Sequence, residues 1–102
     1  RALICLNDRV AFGAYQAIAD AGLRIPDDIS VVSFDDSELA RWLRPQLTSV
    51  ALPYFDMGRM AVESVLGLRP ETAGDPGQEH LVAMPLRVRG SIAAPRSGTA
   101  LD

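Results

Sequence analysis

Two short polar pairs interrupt apolar surroundings: Asn7-Asp8, which follows Leu3-Ile4-Cys5-Leu6, and Asp35-Asp36, which follows Val31-Val32-Ser33-Phe34. A carboxylate in a crevice accepts two hydrogen bonds from neighbouring hydroxyls, as sugars and other polyols present them. An asparagine amide beside it both donates and accepts. Asn7 and Asp35 therefore suit a polyhydroxylated or similarly polar ligand. Asp35 and Asp36 do not suit acid–base chemistry as a pair, because neighbours on an extended chain point to opposite sides. One is expected to face the crevice while the other caps or braces the following turn. That both are plain turn residues at a strand end stays open at this point.

No other constellation carries chemistry. His80, the only histidine, follows a loop containing Pro70, Gly74, Pro76 and Gly77, and no Gly-x-Ser-x-Gly elbow is present. The single Cys5 and single His80 are far apart and lie in no ligand-spaced motif, so no metal site is expected. No glycine-rich turn follows either strand, which removes a phosphate loop. Phospho-receiver domains also gather aspartates at strand ends, but they place a lysine beside them. All ten basic residues here are arginine, so that reading fails. No cofactor is expected.

The elements that must hold the polar pairs follow from hydrophobic pattern. Ala2 to Leu6 is a continuous apolar run, expected as a strand buried on both faces. Asn7 or Asp8 then caps a helix running from about Arg9 to Ala21 and stopped by Gly22. Its inward face is expected to be Val10, Ala14, Ala17, Ile18 and Ala21, with Phe12, Gln16 and Ala19 opposite. Phe12 is then either a stray exposed aromatic or a contact with another surface. After a connection containing Pro26, Ile29 to Phe34 forms a second strand. Strand, helix and strand make a right-handed βαβ unit with parallel strands. Asn7 and Asp35 then share the carboxyl edge of one sheet, where ligands collect in open α/β folds.

Ser37 to Arg44 reads as one or two helical turns, with Trp42 covering the sheet edge or meeting a partner. Leu47 to Leu52 is a third strand. Pro53 opens a helix whose stripe is Met57, Met60, Ala61, Ser64, Val65 and Leu68, the two methionines reading as core filler. Arg69 to Glu79 is a surface loop, and Leu81–Met84 and Leu86–Ile92 are two short strands around Pro85. Residues 93–102 read as a patternless, disordered tail.

Bulk properties bound the partners. With 102 residues, 48% hydrophobic and 23% charged, the chain is at most one soluble globular domain. Its net charge of −3 argues against this segment gripping a phosphate backbone. No apolar run approaches the ~20 residues of a membrane span. The chain starts with Arg1 and enters a strand almost at once, so it is expected to be a fragment of a longer protein, with Cys5 a buried thiol in a reducing compartment.

Several stretches together resemble the C-terminal part of a LacI/GalR-family transcriptional regulator. They are Ala2-Leu3-Ile4-Cys5-Leu6-Asn7-Asp8, the run from Ala21-Gly22-Leu23 through Pro26-Asp27-Asp28 to Ser33-Phe34-Asp35-Asp36, Pro45-Gln46-Leu47-Thr48-Ser49-Val50, Gly58-Arg59-Met60-Ala61 and Pro85-Leu86-Arg87-Val88-Arg89-Gly90-Ser91. The resemblance covers residues 1–92 and implies an α/β, partial periplasmic-binding-protein-like (type I) fold: a parallel βαβ sheet, flanking helices and a short C-terminal strand pair. It implies effector contacts at Asn7 and Asp35, with Leu52 and Tyr54 lining the cleft. Leu52 stands where some sugar-binding members carry a polar residue, and Ser33 stands where glycine is usual, a change given little functional weight. Phe12, Trp42 and Leu43 become contacts of a homodimer. The implied protein is a cytoplasmic, non-enzymatic repressor whose small effector, a sugar or related metabolite, controls operator DNA binding by a helix-turn-helix outside this sequence. A solute-binding component of a sugar transporter is the alternative, and an enzyme using Asp35 as base a third. The resemblance also places the Tyr54–Leu68 helix in the other lobe, which would leave the Met57/Met60/Val65 stripe uncovered.

Overall fold

A computed structural model describes residues 1–68 and 80–96. The elements run β1 (Ala2–Ile4), α1 (Asp8–Asp20), β2 (Ser30–Asp35), α2 (Glu38–Trp42), β3 (Thr48–Ala51), α3 (Tyr54–Val65) and β4 (Leu86–Arg87). The strands form one sheet in the order β1-β2-β3-β4. β1 and β3 both run parallel to β2, and β4 closes the sheet antiparallel to β3. The architecture is α/β, as expected. The chain divides into two units, Arg1–Leu52 with Pro85–Asp102, and Pro53–Met84.

In the first unit, α1 begins where Asn7 accepts the Val10 N–H on its side-chain oxygen at 3.0 Å. It ends where Gly22, at φ 73°, lets the chain turn left-handed. The Gly22 N–H then reaches the Ala19 carbonyl and the Leu23 N–H the Ile18 carbonyl, satisfying the orphan groups of the last turn. The buried face is Ala11, Tyr15 and Ile18, with Ala14 partly covered, while Val10 is half exposed. The expected face is therefore rotated by about one residue (~100°). Alanines surround this helix, so apolar spacing alone did not single out one stripe. Tyr15 decides it: its ring is buried and its hydroxyl donates to the Pro45 carbonyl at 2.8 Å.

The core joins these residues to Cys5, Val31, Ala40, Leu43 and Leu47. Each fully buried aliphatic side chain of this kind contributes about 1.5–3 kcal/mol. β1, the edge strand of the sheet, is shorter than expected and is not covered on both faces: Ile4 and Leu6 are exposed. Its pairing continues one residue further, through the Cys5 N–H to the Val32 carbonyl at 2.8 Å.

The segment after β4 is anchored, not extended. The expected strand over residues 86–92 stops at Arg87, and a turn follows at Gly90-Ser91. Ser91 is fully buried where β2 and β3 begin, donating to the Val31 carbonyl at 2.6 Å and accepting the Thr48 N–H at 2.8 Å. It satisfies ladder groups that no strand neighbour reaches there. Residues 93–96, expected to open a disordered tail, are also tied down. The Ala93 N–H donates to the Ser30 hydroxyl, and Arg96 pairs with Asp28 at 2.7 Å. The rest of that tail, 97–102, and the expected loop from Arg69 to Glu79 lie outside the described residues.

In the second unit, α3 stops three residues short of the expected Leu68, where Gly67 takes φ 67°. No α3 residue is buried, and Met57 and Val65 are exposed. The methionine stripe is thus not core in this chain. Met57, Met60, Ala61 and Ser64 line an open trough of about 410 Å³ with His80, Leu81, Val82 and Met84. Residues 81–84 form no strand, contrary to expectation.

Candidate effector-binding edge

Parallel pairing of β1, β2 and β3 brings their carboxyl ends to one edge, and three of the four expected ligand contacts lie along it. Asn7 follows β1, Asp35 closes β2, and Leu52 follows β3. The register sets Asp35 opposite Ala51, and the Leu52 N–H reaches the Asp35 carbonyl at 3.5 Å. Tyr54, the fourth, is exposed on α3 in the second unit. The Asn7 side-chain oxygen is engaged as the helix cap, so toward a ligand Asn7 offers its amide N–H donors. Asp35 is an acceptor. A hydroxyl between them can donate to one and accept from the other, the complementarity a polyol needs.

The backbone at this edge is unusual. Asp35 has φ 121° and Asp36 φ 54°, two consecutive non-glycine residues in a region that side chains rarely enter. Asp36 is at the less costly of the two angles, where Asp and Asn are tolerated. Such conformations persist only where surroundings over-determine them, and they concentrate at binding sites. The chain therefore leaves the extended state at Asp35.

Two constraints hold the turn. The first is Asp8, fully buried, which no reading of the sequence singled out beyond a possible cap. One of its oxygens accepts the Ser33 hydroxyl and the Ser49 hydroxyl, the latter at 2.8 Å. The other accepts the backbone N–H and the hydroxyl of Ser37, each at 2.7 Å. Ser49 in turn accepts the Asp36 N–H at 2.9 Å. A buried carboxylate is costly unless its oxygens are satisfied, and four donors satisfy this one. Burial pushes the Asp8 pKa up, but the hydrogen bonds from Ser33, Ser37 and Ser49 outweigh it and hold the group below its ordinary value.

The second constraint is Arg89, whose Nη1 lies 2.7 Å from an oxygen of Asp36 with both side chains largely buried. The N–H is not directed at that oxygen, so the contact is Coulombic. The guanidinium also donates to the Leu47 carbonyl, and the Arg89 N–H to the Thr48 hydroxyl. Asp36 is thus the bracing member of the carboxylate pair.

Ser33 has more weight than expected, since its fully buried hydroxyl donates to Asp8. The available signal was a serine at 33 inside the apolar run from Val31 to Phe34 and a second at 49 in the third strand, where a buried hydroxyl requires a partner. Their register match, Ser33 opposite Ser49, sets both beside Asp8. Leu43, expected at a dimer contact, is buried in the core of this chain, whereas Phe12 and Trp42 are exposed, Trp42 to 68%. The structure describes no partner surface for either. Among the described residues no group of His, Cys, Asp and Glu could hold a metal ion, and no helix is long and apolar enough to cross a membrane.

Comparison with known proteins matches residues 1–92 to the periplasmic binding protein-like domain family. The HTH-type transcriptional regulator MalR of Streptomyces coelicolor is 43% identical over 95 residues, covering 91% of this chain and 27% of the regulator. A LacI family transcriptional regulator from Enterococcus faecium, solved with bound ribose, superposes with a TM-score of 0.74 at 28% identity, over 93% of this chain and 35% of that one. The lac repressor dimer bound to operator and the anti-inducer ONPF gives a TM-score of 0.79 at 33% identity, over 91% and 32%. The chain spans 20% to 27% of the length of the curated relatives it matches first. It belongs to the periplasmic binding protein-like family, within the sensor domains of LacI/GalR-type transcriptional regulators.

Proposed function

We propose that this chain supplies one wall of the effector cleft of a DNA-binding repressor and part of its homodimer contact. Its ligand is a sugar or related polar metabolite. The supporting observation is the Asp35 carboxylate, presented from a left-handed backbone at the carboxyl edge of β2, with Asn7 on the same edge. Leu52 adds an apolar contact on this edge, and the α1 and α2 aromatics Phe12 and Trp42 face the partner. The protein binds and does not turn over its ligand. Effector occupancy alters operator affinity through a helix-turn-helix elsewhere in the protein, and it acts in the cytoplasm. Two coupled reading heads on a two-fold operator bind far more tightly than one.

The test is thermal melting of the intact regulator with D-ribose, D-glucose and sucrose, before and after Asp35→Ala. Loss of the sugar-induced shift with the fold retained supports the reading. An unchanged shift removes Asp35 from the site.

A further inference from the structure

We infer that Arg89, acting through Asp36, is a positioning residue for the Asp35 contact. This rests on the reading of Asp35 as an effector ligand. Asp35 and Asp36 occupy consecutive positive-φ conformations, and that of Asp35, at φ 121°, needs support from its surroundings. On one side the support is the Asp36 N–H bound to Ser49 and, through it, to Asp8. The Asp36 side chain is met separately, by the Arg89 guanidinium.

Arg89 is well placed to act as a fixed point. Its own N–H is bound to the Thr48 hydroxyl and its guanidinium to the Leu47 carbonyl, so three contacts tie it across the entry of β3. The Leu47 bond already restricts the guanidinium, so less conformational freedom is lost when Asp36 meets it. The same arginine sits just beyond β4, whose residues pair with Ser49 and Val50. One residue thereby links the turn bearing the ligand carboxylate to the strand that closes the sheet. Arg89 itself touches no ligand in this arrangement. It acts by fixing where Asp35 points, and affinity depends steeply on such placement.

The experiment uses the intact regulator and two variants, Arg89→Met and Asp36→Asn. Asparagine keeps the size of aspartate and tolerates its left-handed backbone, so Asp36→Asn breaks the ion pair without adding strain. The first readout needs no ligand: amide hydrogen exchange at Asp36, Ser37 and Leu52. Faster exchange confined to these amides in both variants is expected, with Arg89→Lys restoring part of the protection. The second readout is the dissociation constant for whichever of D-ribose, D-glucose or sucrose the unaltered protein binds. It should weaken by about 10-fold or more, the scale on which residues supporting a ligating group act. If Arg89→Met does not fold, Asp36→Asn carries both readouts alone. Unchanged exchange at the turn overturns the proposal, and so does faster exchange with sugar affinity retained. If no sugar binds the unaltered protein, the sugar reading fails, and the exchange result alone decides whether Arg89 sets the turn.

Discussion

The carboxylate of Asp8 and the hydroxyl of Ser33, drawn from α1 and β2, meet with no solvent access to either residue. Ser33, Ser37 and Ser49 all donate to this one carboxylate, so β2, β3 and the turn before α2 share one anchor. Asp8→Asn keeps the volume but turns half of the acceptor into a donor. Two donors from Ser37, or the pair from Ser33 and Ser49, then face an N–H. Each stranded buried donor costs about 1–3 kcal/mol. A loss of about 2–4 kcal/mol is expected in urea unfolding. A change below about 0.5 kcal/mol, typical of surface substitutions, would show that the network holds nothing together.

The same carboxylate sets an acid limit. Its folded pKa is held below that of the unfolded chain, so its contribution is present above the unfolded value of about 3.9 and disappears as pH falls through the folded value. Stability measured downward from pH ~5 should therefore decline more steeply in the native protein than in Asp8→Asn. Parallel curves would mean that Asp8 is not the titrating anchor.

Tyr15 sets the opposite limit. Burial pushes its hydroxyl up to about 12, against the modest lowering effect of Ser91. A raised folded pKa means that the stabilisation is complete below the unfolded value of about 10 and is lost as pH rises through about 12. Tyr15→Phe removes this alkaline sensitivity and the bond to Pro45, at a cost of about 1 kcal/mol at neutral pH. Chemical denaturation at neutral and alkaline pH separates the two effects.

The parallel β1–α1–β2 unit and the Asn7 and Asp35 edge were legible because both strands are apolar runs ending abruptly in polar pairs, a local pattern. The Gly22 stop and the Asn7 cap were local as well. The face of α1 was not, because alanine buries little area in any direction and the tertiary contact of Tyr15 with Pro45 selected the stripe. Asp8, Ser49 and Arg89 were hidden for a related reason. Their roles depend on residues 25 to 53 positions away, joined only when the parallel register is set. The exposure of α3 was not legible either, because its apolar stripe is indistinguishable in pattern from a covered one.

Phe12 and Leu43, both named as partner contacts, should now behave differently. Phe12→Glu on an exposed face is expected to leave the fold intact and shift the regulator toward monomer in sedimentation, as is Trp42→Gln more weakly. Leu43→Ala should instead destabilise the chain by about 2–5 kcal/mol, because its side chain fills the core. Unchanged sedimentation of Phe12→Glu returns Phe12 to the status of a stray exposed aromatic.

Asp35 itself offers the sharpest contrast between fold and function. At φ 121° an aspartate carries strain that glycine does not, of order 1–3 kcal/mol for such positions. Asp35→Gly relieves that strain but adds backbone freedom to the unfolded chain, which takes back up to about 1 kcal/mol. The backbone contribution of the change is therefore near zero or favourable, while the response to sugar is lost. Asp35→Ala removes the same carboxylate without relieving the backbone, and should melt lower than Asp35→Gly. This ordering distinguishes a residue retained for binding at the expense of stability from one retained for the turn. If Asp35→Gly melts well below the native protein and still binds sugar, the carboxylate serves the fold, and the ligand must be sought elsewhere on this edge.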